Sequence, residues 1–149
     1  MSDRITAGAV SGIIAGIIMG LISMILFAAN ICKLCIIAIG GGIFTGHLMN
    51  NFTLEGYILS WLIHLALSGA FGVMIAIMLT YLGTKHHILK GAGLLTLVFI
   101  ADIGFLAPLR GIFPDNQAYF DLLLLLLYHI FFGSLASYIF VKYHSKKLV

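Results

Sequence analysis

Three ionisable residues stand inside long apolar stretches of this chain: His64, Asp102 and His129. A lone charge near the middle of a bilayer costs at least about 2.5 to 3.5 kcal/mol, so such groups turn inward and pair with one another or with backbone. Two imidazoles and a carboxylate brought together have four uses. They can tie helices together, an inter-helix hydrogen bond contributing about 0.6 kcal/mol on average in a membrane. They can pass protons or hold a small ion, as intramembrane carboxylates and histidines do in transporters. His64 and His129 can hold haem between facing helices, since bundles build cofactor sites in that way. With Asp102 as a third ligand they can bind a metal ion such as zinc, although no recognisable ligand spacing is present. Nothing in the spacing singles out iron or zinc, and no cofactor is predicted.

Cys32-Lys33-Leu34-Cys35 is a second constellation. The Cys-x-x-Cys spacing lets two sulfurs meet across a tight turn and lowers one thiol pKa, which makes a redox pair for quinone or disulfide chemistry. The surrounding strand and helix pattern of a thioredoxin-like domain is missing, so two small apolar residues near an interface is the default reading, with half of a metal site as a third. His86-His87 reads as a solvated basic turn beside lipid headgroups. His47 and His144 support no sharper reading. The chain has no nucleophile and base pairing, Walker-type loop or GxGxxG fingerprint, and the reading is non-enzymatic.

The elements that must position these residues are apolar to an unusual degree. Hydrophobic residues make up 62% of the chain and charged ones 9%, where a soluble domain carries roughly 25% charged residues. The 149 residues form one domain, and crossing about 30 Å of hydrocarbon takes about 20 residues per helix. The pattern predicts an all-α polytopic membrane protein, a four-transmembrane-helix bundle with spans at about 5–31, 57–82, 90–108 and 119–141. The first span is too long for a secretory signal core and is read as retained. Residues 32–53 carry Gly40-Gly41-Gly42 and Gly46, and each interior glycine weakens a helix by about 1 kcal/mol relative to alanine. This segment is expected to lie in the interface or to dip in as a re-entrant piece.

Gly8, Gly12, Gly16 and Gly20 recur every four residues along span 1, a glycine-zipper stripe with Ala7, Ser11 and Ala15 beside it. Small residues at this spacing let two helices approach closely in lipid. The partner is either another span of the chain or a second copy, which would make a homo-oligomer. Span 2 offers a matching face in Ser60, His64, Ser68, Gly72 and Ala76, and span 4 offers His129, Gly133, Ala136 and Ser137. At 1.5 Å of rise per residue, His64, Asp102 and His129 all fall about 9 to 15 Å below the same end of their spans. They are therefore expected to form one buried polar cluster.

Arg4, Lys85, Lys90, Lys142, Lys146 and Lys147 fall at one side of the spans, and Lys33 and Arg110 at the other. Positive charge is retained in the cytoplasm, so a multi-pass protein of the cell (plasma or inner) membrane with N- and C-termini cytoplasmic is expected. Membrane lipid is the expected partner and nucleic acid is not.

Ala7-Gly8 to Met19-Gly20, the His64-Leu65-x-x-Ser68-x-x-x-Gly72 stretch, the Lys90-Gly91 start of span 3 and the His129 to Phe140 closing span resemble small four-span membrane proteins of Gram-positive bacteria. The resemblance covers most of the chain and implies an architecture without an activity. Gly40 to Gly42 and the Cys-x-x-Cys depart from it. The sequence thus points first to a structural, interaction or modulatory bundle, and second to a small transporter, relay or haem- or metal-binding protein.

Overall fold

The computed structural model describes residues 2–45, 53–111 and 119–144. Among these residues there is no β-strand, and the helices are α1 (Ser2–Ala28), α2 (Ile36–Thr45), α3 (Leu54–Leu82), α4 (His87–Ala101), α5 (Ala107–Leu109) and α6 (Tyr119–His144), with a π-helical turn over Asp102–Leu106. Four continuous apolar stretches are long enough to cross a bilayer: Arg4–Ala28, Leu54–Leu82, His87–Leu109 and Tyr119–Tyr143. Val10, Ile14, Ile17 and Leu21 of α1 are exposed while Ser11, Ser23, Ser60 and Ser68 are buried. An exterior of large apolar side chains, around an interior that also holds small and hydroxyl side chains, suits lipid rather than water. The protein is a four-helix transmembrane bundle. Gly46, His47, Pro114, Asp115, Asn116, Lys146 and Lys147 lie outside the described residues.

The first helix stops short of Ile31. Asn30 adopts the left-handed conformation at φ 55, its N–H donates to the Phe27 carbonyl at 3.0 Å, and that of Ile31 donates to Leu26 at 3.0 Å. This pair of bonds closes a helix on its own last carbonyls, and asparagine tolerates the conformation it requires. At the start of α3, Thr53 caps the helix by accepting from the Gly56 N–H at 3.3 Å. The far end of α3 is capped by Lys90, whose Nζ donates to the Leu82 and Gly83 carbonyls at 2.6 and 2.8 Å. A cation at a helix C-terminus complements the partial charge of its free carbonyls.

Packing is built from two close helix pairs, α1 with α3 and α4 with α6, which meet chiefly along α1 and α6. In the first pair, the glycine stripe of α1 runs antiparallel to the small face of α3. Gly8 lies against Gly72 and Ala76, Gly12 against Ser68 and Gly72, Gly16 against Ser68, and Gly20 against Trp61 and His64. In the second pair, Gly91 and Gly133 bring the backbones of α4 and α6 together, with Ser137 and Leu95 alongside. The partner of the glycine stripe is thus within the chain, and α3 already occupies it. A second copy would meet a different face.

The short helix α2 is an inserted element. Its ten residues span about 15 Å, half the hydrocarbon thickness. Ile36 to Ile39 are all buried, and Gly41 lies directly on Ser60 of α3. Its first turn is held by Ser23, whose Oγ accepts from the Ile36 N–H at 3.0 Å. Its last turn is held by Arg110, whose Nε and Nη2 donate to the Ile43 and Phe44 carbonyls at 3.1 and 3.2 Å. Gly41, which lowers helix propensity here, also allows the backbone of α2 to come close to α3, and burial outweighs propensity.

The third span carries an irregularity at its chemically most unusual residue. Pro108 has no N–H to give to the carbonyl one turn back, and its ring crowds that turn. The chain widens into the π turn, in which the Ala107 N–H reaches back to the Asp102 carbonyl. One extra residue is absorbed, so Leu95, Val98, Ile103 and Ala107 form the buried line while Asp102 stays beside it. Such turns occur frequently at functional sites.

Candidate functional site: a cavity beneath the inserted helix

A cavity of about 60 Å³ lies inside the half of the bundle that holds α2. Ile36, Ile39, Gly40 and Ile43 of α2 line one side, and α3 contributes His64, Leu67, Ser68 and Phe71. Asp102 and Ile103 come from the π turn, Leu125, His129 and Phe132 from α6, Met19 from α1 and Leu95 from α4. By the same measure one water needs about 10 to 15 Å³, so the space takes a few waters or a small ion. A porphyrin does not fit. No group of three His, Cys, Asp or Glu side chains able to hold a metal ion occurs among the described residues.

The three ionisable residues are brought to this one cavity by the two close helix pairs. His64 follows from the α1–α3 register, its Nε2 facing the Gly16 carbonyl at 3.0 Å. A carbonyl only accepts, so Nε2 carries the hydrogen in the neutral ring and Nδ1 is left as the basic nitrogen. His129 faces the Leu125 carbonyl one turn back through Nδ1 at 2.7 Å, which leaves its Nε2 basic by the same rule. Phe99 from α4 packs edge-on to His129 at 5.4 Å, and Trp61 packs edge-on to His64 at 5.8 Å. Asp102 is partly buried, and its carboxyl group receives no hydrogen bond from the described residues. His64 is thus the one member of the three that bonds to a second helix.

The cysteines belong to a different cluster, between the end of α1 and the first turns of α6. Cys32 and Cys35 are buried and free. Ser23 Oγ lies 3.6 Å from Cys35 Sγ, and the Lys33 N–H donates to the buried Asp121 carboxylate at 3.0 Å. Burial pushes the Cys32 thiol up; the adjacent Tyr128 hydroxyl opposes this in part, while Asp121 and Cys35 add to the rise. A reactive thiol needs the opposite direction. In intact vesicles at pH 7, both cysteines are expected to react with an impermeant maleimide at least about tenfold more slowly than an exposed thiol. Cys32 should accelerate only above the ordinary thiol pKa of roughly 8.5, because raising the folded value favours the neutral form below it. Its contribution to stability, present below that pH, fades as the pH rises further. Rapid labelling of both at pH 7 would contradict the buried placement.

Sequence patterns alone miss the side of the cavity built by α2, the π turn that presents Asp102, and the grip of Arg110 on α2. The one local signal was the Gly104 and Pro108 pair, which marks a weakened helix just beyond Asp102. Together, fold and cavity define a multi-pass α-helical membrane protein with a small, largely apolar cavity that three ionisable side chains line. No protein-family model, curated protein or solved structure matches the chain.

Proposed function

We propose that this protein is a small proton relay or transporter of the cell membrane, with both termini cytoplasmic and with His64, Asp102 and His129 as its proton-carrying groups. One observation carries the reading: three ionisable side chains from three different spans line one cavity, and two of them make no inter-helix bond. Helix glue accounts for His64, through its bond to Gly16, but not for Asp102 or His129. A cavity of about 60 Å³ suits water and protons, and two basic nitrogens and a carboxyl around one cavity suit proton exchange.

Toward the opposite end of the bundle Ile75, Leu79, Ala136 and Phe140 are packed with almost no exposure. The relay therefore works by exposing the site to one side at a time, not as an open pore. The orientation rests on Arg4, Lys85, Lys90 and Lys142 at one end against Lys33 and Arg110 at the other. The resemblance to four-span proteins of Gram-positive bacteria accords with a plasma-membrane setting. Proteoliposomes holding a pH-sensitive dye test the proposal under an imposed membrane potential. Proton movement above that of protein-free vesicles is expected, and its absence at both polarities would rule the relay out.

A further inference from the structure

A second hollow, of about 330 Å³, lies at the other end of the bundle between the start of α1 and the last turns of α3. Its lining changes character along α3. Ala76 and Ile77, with Ile5 of α1, make an apolar stretch; Thr80, Tyr81 and Arg4 follow at the helix ends. From Ala76 to Tyr81 is about 7.5 Å along the axis, so the polar part sits at headgroup level when the apolar part touches acyl chain.

We propose that this crevice binds an anionic phospholipid, with an acyl chain against Ile5, Ala76 and Ile77 and the phosphate on Arg4. The guanidinium fork matches a phosphate in geometry as well as charge. Among the described side chains no acidic group pairs with Arg4, since Glu55, Asp102 and Asp121 belong to the opposite half of the bundle. Thr80 donates its hydroxyl to the Ala76 carbonyl at 2.8 Å, which leaves Tyr81, 82% exposed, as the second donor at the rim. Tyrosine at this depth is favoured for its apolar ring and polar tip. Lys85, Lys90 and Lys142 stand at the same end, so the field there favours an anion.

The test offers the full chain in neutral detergent a mixture of phosphatidylglycerol and phosphatidylcholine with matched acyl chains, and reads bound lipid by native mass spectrometry. Phosphatidylglycerol should be retained about fivefold over phosphatidylcholine, the effect of a single cation near a headgroup. Arg4→Gln should abolish the preference, and Ile77→Trp, which fills the crevice from an exposed position, should lower retention of phosphatidylglycerol. Equal retention of the two lipids by the native protein overturns the proposal, as does an undiminished preference in Arg4→Gln or unchanged retention in Ile77→Trp. Displacement of the lipid by millimolar inorganic phosphate would make this a free-anion site and would overturn the lipid assignment.

Discussion

Gly12→Ala is expected to loosen the α1–α3 pair and lower the thermal midpoint of the protein in detergent. The added Cβ would meet the Ser68 carbonyl oxygen, and would lie 2.8 Å from Gly72 Cα and 3.0 Å from its nitrogen. All of these are backbone atoms, so no side chain can swing aside and the helices themselves must part. Overpacking of this kind costs about 1 to 3 kcal/mol, against a gain of about 1 kcal/mol from replacing a helical glycine by alanine. The net effect is a loss of up to about 2 kcal/mol. Gly93→Ala is the matched control. Nothing lies within 4 Å of a Cβ at that position, so only the propensity gain operates and the midpoint should hold or rise. A Gly12→Ala protein at least as stable as the native one would show that α1 and α3 do not pack through this face.

Asp102→Asn should reduce potential-driven proton movement about a hundredfold, the scale on which a positioned acid or base acts, while leaving the thermal midpoint nearly unchanged. The amide keeps the shape of the carboxyl but cannot take up and release a proton near neutral pH. Because the Asp102 carboxyl holds no hydrogen bond to a described residue, the exchange removes no link between helices. His64→Ala behaves differently. It breaks the bond to the Gly16 carbonyl and leaves a hole beneath Gly20, whose nearest neighbours include the His64 ring. Stability and proton movement should fall together there, and that variant alone could not separate the two roles. Retention of full proton movement in folded Asp102→Asn would remove Asp102 from the relay.

Much of the bundle was legible because membrane packing writes itself into short-range patterns. A run of about 20 apolar residues is a length, and a length is visible in one dimension. Gly8, Gly12, Gly16 and Gly20 on one side, and Ser60, His64, Ser68, Gly72 and Ala76 on the other, share a period of four. Two such faces close on each other once the helices run antiparallel, so the pairing of α1 with α3 was implicit in their spacing. The burial cost of charge likewise indicated that His64, Asp102 and His129 would turn inward.

What those residues turn toward was decided elsewhere. Arg110 reaches Ile43 across 67 positions of sequence and Lys33 meets Asp121 across 88, and no local pattern specifies pairings over such separations. The weak helix propensity of Gly40 to Gly42 argued against a helix, yet those residues lie in the middle of α2, where Gly41 fits closely on Ser60 of α3. Sequence by itself determined the four spans, the faces that spans 1, 2 and 4 turn inward and the depth of the ionisable groups, since each depends only on spacing along one helix. Tertiary structure alone decided that α2 lies over those groups, that the π turn brings Asp102 to the cavity, and that Cys32 and Cys35 lie in a separate cluster. Those outcomes depend on which helices touch, and so on how backbone bonds and close contacts are satisfied across the whole bundle.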